Sequence, residues 1–439
     1  MAIKFLAQDR LETFLGSLAE KNRVVAPVKT DGVTQFQPWK PGQAVQLDVL
    51  LAKQSPKEWV FLQTETYLKF GYTMAAIPEG AEGEAAIPHE TVTVDAINDA
   101  PAQVIFGLRP CDARGFVQMD QVFGGYGGFY FDPLYNARRE ATTLLAVTCA
   151  EPRSTCFCTA IGGCPSGREG VDALFTQVDG GFTVAPLTPK GEAALAAAGA
   201  AAGPATALTD ATDAQTGEAS EIKMAATLKV DVPFALDGIR DNLRDNIAGD
   251  NWHDLAMRCI SCGTCTHVCP NCYCFSINDS LVESTGDRYR CWDNCFNPLY
   301  TEETSGHNPR AAKSNRFRNR FSHKFWYYPD KYDSLLCSGC GRCIMHCPTR
   351  IDIREVLRTM GSPAGQPPAE PVAAPAAECG APAGAAPVGA ATEATVSGSA
   401  PEGAAAPGAP APAATAAPAA PAMATGDPIP NGSEEGIDA

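Results

Sequence analysis

Cys259-Ile-Ser-Cys262-Gly-Thr-Cys265-Thr-His-Val-Cys269-Pro270 returns later in the chain as Cys337-Ser-Gly-Cys340-Gly-Arg-Cys343-Ile-Met-His-Cys347-Pro348. Three thiolates at i, i+3 and i+6 in a tight loop wrap three corners of an iron–sulfur cubane. The fourth cysteine, placed just beyond, serves the other cluster when two such loops face each other. The spacing therefore predicts two [4Fe–4S] clusters, one on Cys259, Cys262, Cys265 and Cys347, the other on Cys337, Cys340, Cys343 and Cys269. A zinc site or a set of free buried thiols gives no reason for the same four-cysteine pattern and following proline to occur twice.

The motifs lie 68 residues apart, from Cys269 to Cys337, so the intervening segment is expected to be a structured insertion. Asp241–Ala256 and Ile353–Arg358 have helical patterning, and 230–360 reads as an α-helical two-cluster ferredoxin-type domain. Four more cysteines lie in or near the insertion: Cys272, Cys274, Cys291 and Cys295. They are further candidates for metal ligands or for the route of electrons, and equally for packed thiols beside Phe275 and Trp292. From Arg310 to Lys324 come six basic residues and no acidic one. These form either a positive field near an anionic cluster or a solvated face.

The N-terminal block, 1–185, reads as an α/β domain. Asp9–Leu18 carries apolar residues at helical spacing. Val104-Ile-Phe-Gly-Leu108 and Leu144-Leu-Ala-Val147 are short apolar runs of the kind found in buried parallel strands. Phe116, Val117, Met119, Val122 and Phe123 recur at a helix period between them, giving a βαβ unit. Each strand runs into a cysteine, Cys111 and Cys149, and open α/β sheets gather ligands beyond their strand carboxyl ends. The next loop adds Cys156, Cys158 and Cys164. Cys111, Cys149, Cys156 and Cys158 suit a third, N-terminal [4Fe–4S] cluster, with Cys164 a further candidate and a structural or zinc-bound set the competing reading. Gly124-Gly-Tyr-Gly-Gly128 lacks dinucleotide-loop spacing.

The chain has 439 residues, 18 cysteines and a net charge of −16. That length suffices for two or three domains. Abundant cysteine without a leader-like N-terminus predicts reduced thiols in the cytoplasm. The acidic balance argues against nucleic acid as a partner, and no apolar run approaches the roughly 18 to 20 residues of a membrane span. Residues 186–229, rich in Ala, Thr and Gly, read as an insertion or linker. Residues 361–439 contain eight acidic and no basic residues among Ala, Pro and Gly, and read as a disordered tail carrying the isolated Cys379.

Several stretches together resemble the iron–sulfur beta subunit of soluble hydrogenase/sulfhydrogenase complexes, to which an iron–sulfur component of anaerobic sulfite reductase is related. They are Ser55-Pro-Lys-Glu58 with Gln63-Thr-Glu-Thr66, Phe106-Gly-Leu-Arg-Pro-Cys-Asp-Ala-Arg-Gly-Phe116, Cys156-Phe-Cys158, Cys269-Pro-Asn-Cys-Tyr-Cys274, Trp292-Asp-Asn-Cys295 and Gly306-His-Asn308. The likeness spans about residues 1–360 outside the Ala-rich stretch. It implies an electron-transfer subunit with several [4Fe–4S] clusters. It further implies Cys111, Cys149, Cys156 and Cys158 as the N-terminal ligand set. Implied partners are a flavin/NAD(P)-binding gamma-type subunit and a hydrogenase, sulfite reductase or heterodisulfide reductase module. A terminal reductase using the cluster-adjacent cysteines for sulfur or thiol chemistry is the alternative.

Overall fold

The two apolar runs are neighbouring parallel strands, and the alternation along them shows why both are continuous. In the computed structural model, which describes residues 2–48, 51–75, 80, 82–83, 90–125, 130–201, 208–234 and 236–363, they belong to an eight-stranded sheet. Its strands are β1 (Lys4–Ala7), β2 (Arg23–Thr30), β3 (Val33–Pro38), β6 (Gln103–Leu108), β7 (Thr142–Val147), β8 (Ala173–Val178), β9 (Gly181–Pro186) and β10 (Thr209–Asp210). The order is β10-β1-β9-β8-β7-β6-β2-β3. β2, β6, β7 and β8 run parallel, and the remaining pairings are antiparallel.

Helices cover both faces. α1 (Leu11–Ala19) and α4 (Pro189–Ala201) pack Phe14, Leu18, Leu195 and Ala198 against Val104, Phe106, Leu145 and Val147. α2 (Pro110–Phe123) packs Phe116 and Met119, and α3 (Pro133–Glu140) packs Tyr135, against Ile105, Leu108, Leu144 and Ala146. With apolar layers on both sides, neither strand position parity is left polar.

The Ala-rich stretch 186–229 is not a linker. It forms α4, β10 and α5 (Asp213–Leu228), with Leu195, Ala198, Ala219 and Ala226 buried. Alanine is the strongest helix former, and a small side chain lets a helix sit close to the sheet.

A second, antiparallel sheet has the order β11-β12-β4-β5. β4 (Thr64–Met74) and β5 (Glu90–Ala96) come from the N-terminal block, whereas β11 (Phe275–Val282) and β12 (Thr285–Trp292) come from the insertion between the cysteine motifs. The 1–185 and 230–360 blocks thus share a sheet and lie in one compact unit. The insertion is also less helical than its sequence suggests. After the hairpin it continues as α9 (Lys313–Ser322), a π-helical turn over His323–Tyr327, and α10 (Tyr328–Tyr332).

The remaining helices pack around the motifs. α6 (Ile239–Asp245) and α7 (Asn251–Met257) occupy the expected 241–256 region, and α12 (Ile353–Met360) the expected C-terminal helix. α8 (Thr264–His267) and α11 (Arg342–Met345) are single turns inside the two motifs, each starting after a glycine. The expected tail from 364 onward, with Cys379, and Tyr126–Gly128 of the glycine run, lie outside the described residues. Among the described residues no helix is long and apolar enough to cross a membrane.

Candidate metal centre

The first motif spreads its thiols around a cavity. The first cavity, about 460 Å³, is lined by Cys259, Cys262, Cys265 and Cys347, the set expected from the spacing, together with Cys343 of the second motif. Phe296, Phe317, Phe321 and Ile351 form its apolar wall, and the guanidinium of Arg320 borders it. Backbone amides point at the sulfurs: Ser261 N–H donates to Cys259 Sγ at 3.4 Å and Ile351 N–H to Cys347 Sγ at 3.3 Å. Such bonds stabilise thiolate-bound clusters.

Cys269, Cys337 and Cys340 are buried. Burial pushes the Cys337 thiol up to about 11 and that of Cys340 higher, with Cys269 and Cys343 among the neighbouring thiols acting on both. The same desolvation lifts Cys265 to about 12. Thiols this far above neutrality are protonated unless a cation or a metal takes the proton's place. Cys269 differs: a hydrogen bond from Cys272, together with Lys324 and Lys57, holds its thiol well below the usual range.

The N-terminal cysteines converge as the βαβ reading anticipates. Cys111 sits in the first turn of α2 and Cys149 just past β7. Arg109 straps the two together, its Nη1 donating to Thr148 O at 2.8 Å and its Nη2 to Leu47 O at 2.7 Å. With Cys156 and Cys158 these thiols line a cavity of about 340 Å³, on whose wall Gly339, Cys340 and Cys164 also lie. Burial raises Cys149 to about 11 and Cys158 to about 12. Of the seventeen described cysteines, sixteen are free thiols and Cys164 is the other; Cys164 Sγ lies 3.4 Å from Ser166 Oγ.

This N-terminal cavity abuts the second motif. Phe157 N–H donates to Gly339 O at 2.9 Å, and Cys156 Sγ is 3.7 Å from Cys340 O. A Cβ on Gly339 would meet Cys158 Cα at 2.5 Å, so the two cysteine loops touch backbone to backbone.

Cys272, Cys274 and Cys295 gather beside Cys269 and Cys265, where buried thiols and cations act on one another. Cys291 does not join them: on β12 it is engaged by Asn278 Nδ2 at 3.3 Å and Ser276 Oγ at 3.5 Å. Among the described residues no group of three or more His, Cys, Asp or Glu side chains closes on a single metal ion. The first-motif thiols instead line one cavity and the N-terminal thiols another.

Three residues beyond the cysteines bind this assembly together. Gln118 of α2 donates to Cys337 O at 3.1 Å and accepts from Asn271 Nδ2 at 2.7 Å, joining both motifs. Arg342, inside the second motif, pairs with Asp112, next to Cys111. Lys57 is buried and donates to Cys272 O at 2.7 Å, with its ammonium 4.2 Å from the centre of the Trp292 ring. Lys57 and Asp112 stand in the stretches that carried the resemblance. Nothing local in sequence marks Gln118.

Of the basic run, Arg316, Arg320 and Lys324 are buried. Lys313 and Arg318 donate to carbonyls of Met257 and Ile247. The run is therefore not a solvated face.

Comparison with known proteins agrees with this geometry. Residues 258–351 match the 4Fe-4S dicluster domain, which assigns two [4Fe–4S] clusters to the motif pair. The chain is 27% identical over 353 residues to sulfhydrogenase 2 subunit beta of Pyrococcus furiosus, covering 80% of this chain and 96% of that protein. No solved structure matches. With the paired motifs matching a dicluster domain, and the likeness extending well beyond them, the chain is an iron–sulfur electron-transfer subunit similar to the sulfhydrogenase beta subunit.

Proposed function

We propose that the chain relays electrons through three [4Fe–4S] clusters between a flavin/NAD(P)-binding gamma-type subunit and a terminal redox module of hydrogenase, sulfite reductase or heterodisulfide reductase type, in the cytoplasm. The relative's standing as a subunit of a sulfhydrogenase supports assembly with partners. The ligands are Cys259, Cys262, Cys265 and Cys347 for the first cluster and Cys269, Cys337, Cys340 and Cys343 for the second. Cys111, Cys149, Cys156 and Cys158 hold the third.

The observation that carries this reading is that the three thiol groups adjoin in series. Cys340 of the second set lies on the wall of the N-terminal cavity, and Cys343 of the same set lies on the wall of the first. A bound cubane supplies one-electron storage. The chain supplies thiolates, burial and hydrogen bonds that set potentials over the wide range these clusters span. At one end of the series Cys262 is exposed, and Ile260 beside it is 63% exposed. This is a place where a partner would dock within reach of a cluster.

Iron, acid-labile sulfide and zinc per chain on anaerobically purified protein, with low-temperature EPR after dithionite reduction, test the reading. About twelve iron atoms with interacting cubane signals are expected. About eight would confine the relay to the dicluster domain, and zinc in place of iron would overturn it.

A further inference from the structure

One helix brings three cations into the interior at intervals of four residues. Arg316 and Arg320 on α9 and Lys324 in the π-helical turn lie i, i+4 and i+8 apart, on one helix face, and are 7%, 4% and 2% exposed. None of the three forms an ion pair with a carboxylate among the described residues. π-helical turns recur at functional sites, and here the turn carries Lys324.

The three differ in how their donors are used. Arg316 Nη1 donates to the carbonyls of Arg310, at 2.9 Å, and Ala311, at 2.5 Å. Lys324 Nζ spends all three donors, on Cys269 Sγ at 3.5 Å, Asn271 Oδ1 at 2.9 Å and Leu336 O at 2.9 Å. Arg316 leaves one nitrogen, Nε, without a partner among the described residues, and Arg320 leaves two. The Arg320 plane lies 5.0 Å from the Phe321 ring centre, which satisfies its face but not its edge. Its Nε and Nη2 have no hydrogen-bond partner among the described residues.

Arg320 borders the first thiol cavity, and Cys265 and Cys343 are the thiols that bear on it most. Charged donors buried without an acceptor are strongly disfavoured. An acceptor outside the polypeptide resolves the conflict.

We propose that Arg320 donates hydrogen bonds from Nε and Nη2 to the cluster held by Cys259, Cys262, Cys265 and Cys347, and thereby raises its reduction potential. This rests on the ligand assignment above. Reduction adds one electron to an already anionic group, so a fixed cation with two unpartnered donors beside it favours the reduced state over the oxidised one. Lys324, bound to Cys269, plays the corresponding part toward the second cluster.

The test is an EPR-monitored redox titration of the full-length, anaerobically purified chain, comparing wild type with Arg320→Gln, Arg320→Lys and Lys324→Gln. In Arg320→Gln the reduced-to-oxidised ratio of one dicluster signal should fall about tenfold at a fixed solution potential, equivalent to about 59 mV for one electron. Arg320→Lys should shift that signal less, and Lys324→Gln should move the other. An iron-loaded Arg320→Gln with an unmoved potential overturns the proposal, as does an equal shift of both signals. If both Arg320 variants lose the cluster, Arg320 is needed for assembly and the tuning role falls. A wild type without iron sinks the ligand assignment instead.

Discussion

The Arg342 guanidinium grips both carboxylate oxygens of Asp112, at 2.6 Å and 3.1 Å, with neither side chain more than 1% exposed. Asp112 follows Cys111, and Arg342 precedes Cys343, so the pair fastens the N-terminal thiol site to the second cysteine motif. Its placement is set from both sides: Asp112 also accepts from Arg109 N–H at 3.3 Å, and Arg342 Nε donates to Ala52 O at 3.0 Å. Satisfied buried pairs add little over an apolar replacement, yet breaking one strands the other charge.

Asp112→Ala is therefore expected to lower stability by about 3–5 kcal/mol, read from urea unfolding of the anaerobic holoprotein. Removing Arg342 as well, as Asp112→Leu with Arg342→Met, should recover a large part of that loss. A single variant within about 1 kcal/mol of wild type would show that the two halves are held by other contacts.

The cysteine motifs are legible because a cubane is wrapped by residues three apart, a constraint local in sequence. The strands at 104–108 and 144–147 are legible because helices on both faces leave no polar parity. The small sheet was not legible. β4 pairs with β12, more than two hundred residues away in sequence, and a pairing that distant leaves no trace in local periodicity. α4 was missed for another reason: in a run of Ala and Gly, low complexity and high helix propensity look alike. Lys57 and Arg320 were hidden because what surrounds each, the Cys272 carbonyl and Trp292 ring for one and the thiol cavity for the other, comes from segments distant in sequence.

The contact between the two cysteine loops depends on Gly339, whose φ is +63°. A methyl group there would meet Cys158 Cα at 2.5 Å and Cys158 N at 2.6 Å, backbone atoms that cannot swing aside. Gly339→Ala should cost at least about 2 kcal/mol and make the 153–164 loop cleavable in limited proteolysis. Unchanged proteolysis with unchanged stability would mean the loops separate without consequence.

Glu65 ties the small sheet to α3. From β4 its carboxylate pairs with Arg138 of α3 and with Arg290 of β12, whose Nε donates to it at 2.8 Å; all three side chains are 5% exposed or less. Arg290 pairs in addition with Asp132. Glu65→Gln leaves Arg290 with Asp132 alone and Arg138 with only the carbonyls of Asp99 and Val60, and a loss of about 3–5 kcal/mol is expected. Hydrogen exchange should locate it, with amides of β4 and β12 exchanging faster while β6 and β7 stay protected. Uniform loss of protection would show instead that the small sheet does not open separately.

His323 gives the chain an acid-sensitive point. Burial first, and then the charges of Lys324 and Arg310, bring its imidazole down to about 4; its Nε2 lies 3.1 Å from the Tyr273 hydroxyl. The unfolded chain binds a proton here near pH 6.5, whereas the folded chain refuses it until about pH 4. The associated stability is complete above 6.5 and is lost as pH falls toward 4, at about 1.4 kcal/mol per pH unit within that window. His323→Gln keeps a hydrogen-bonding partner for Tyr273 but cannot take up the proton. Unfolding midpoints measured from pH 7 to 5 should therefore fall less steeply in the variant than in wild type. Parallel slopes would place the acid sensitivity in groups other than His323.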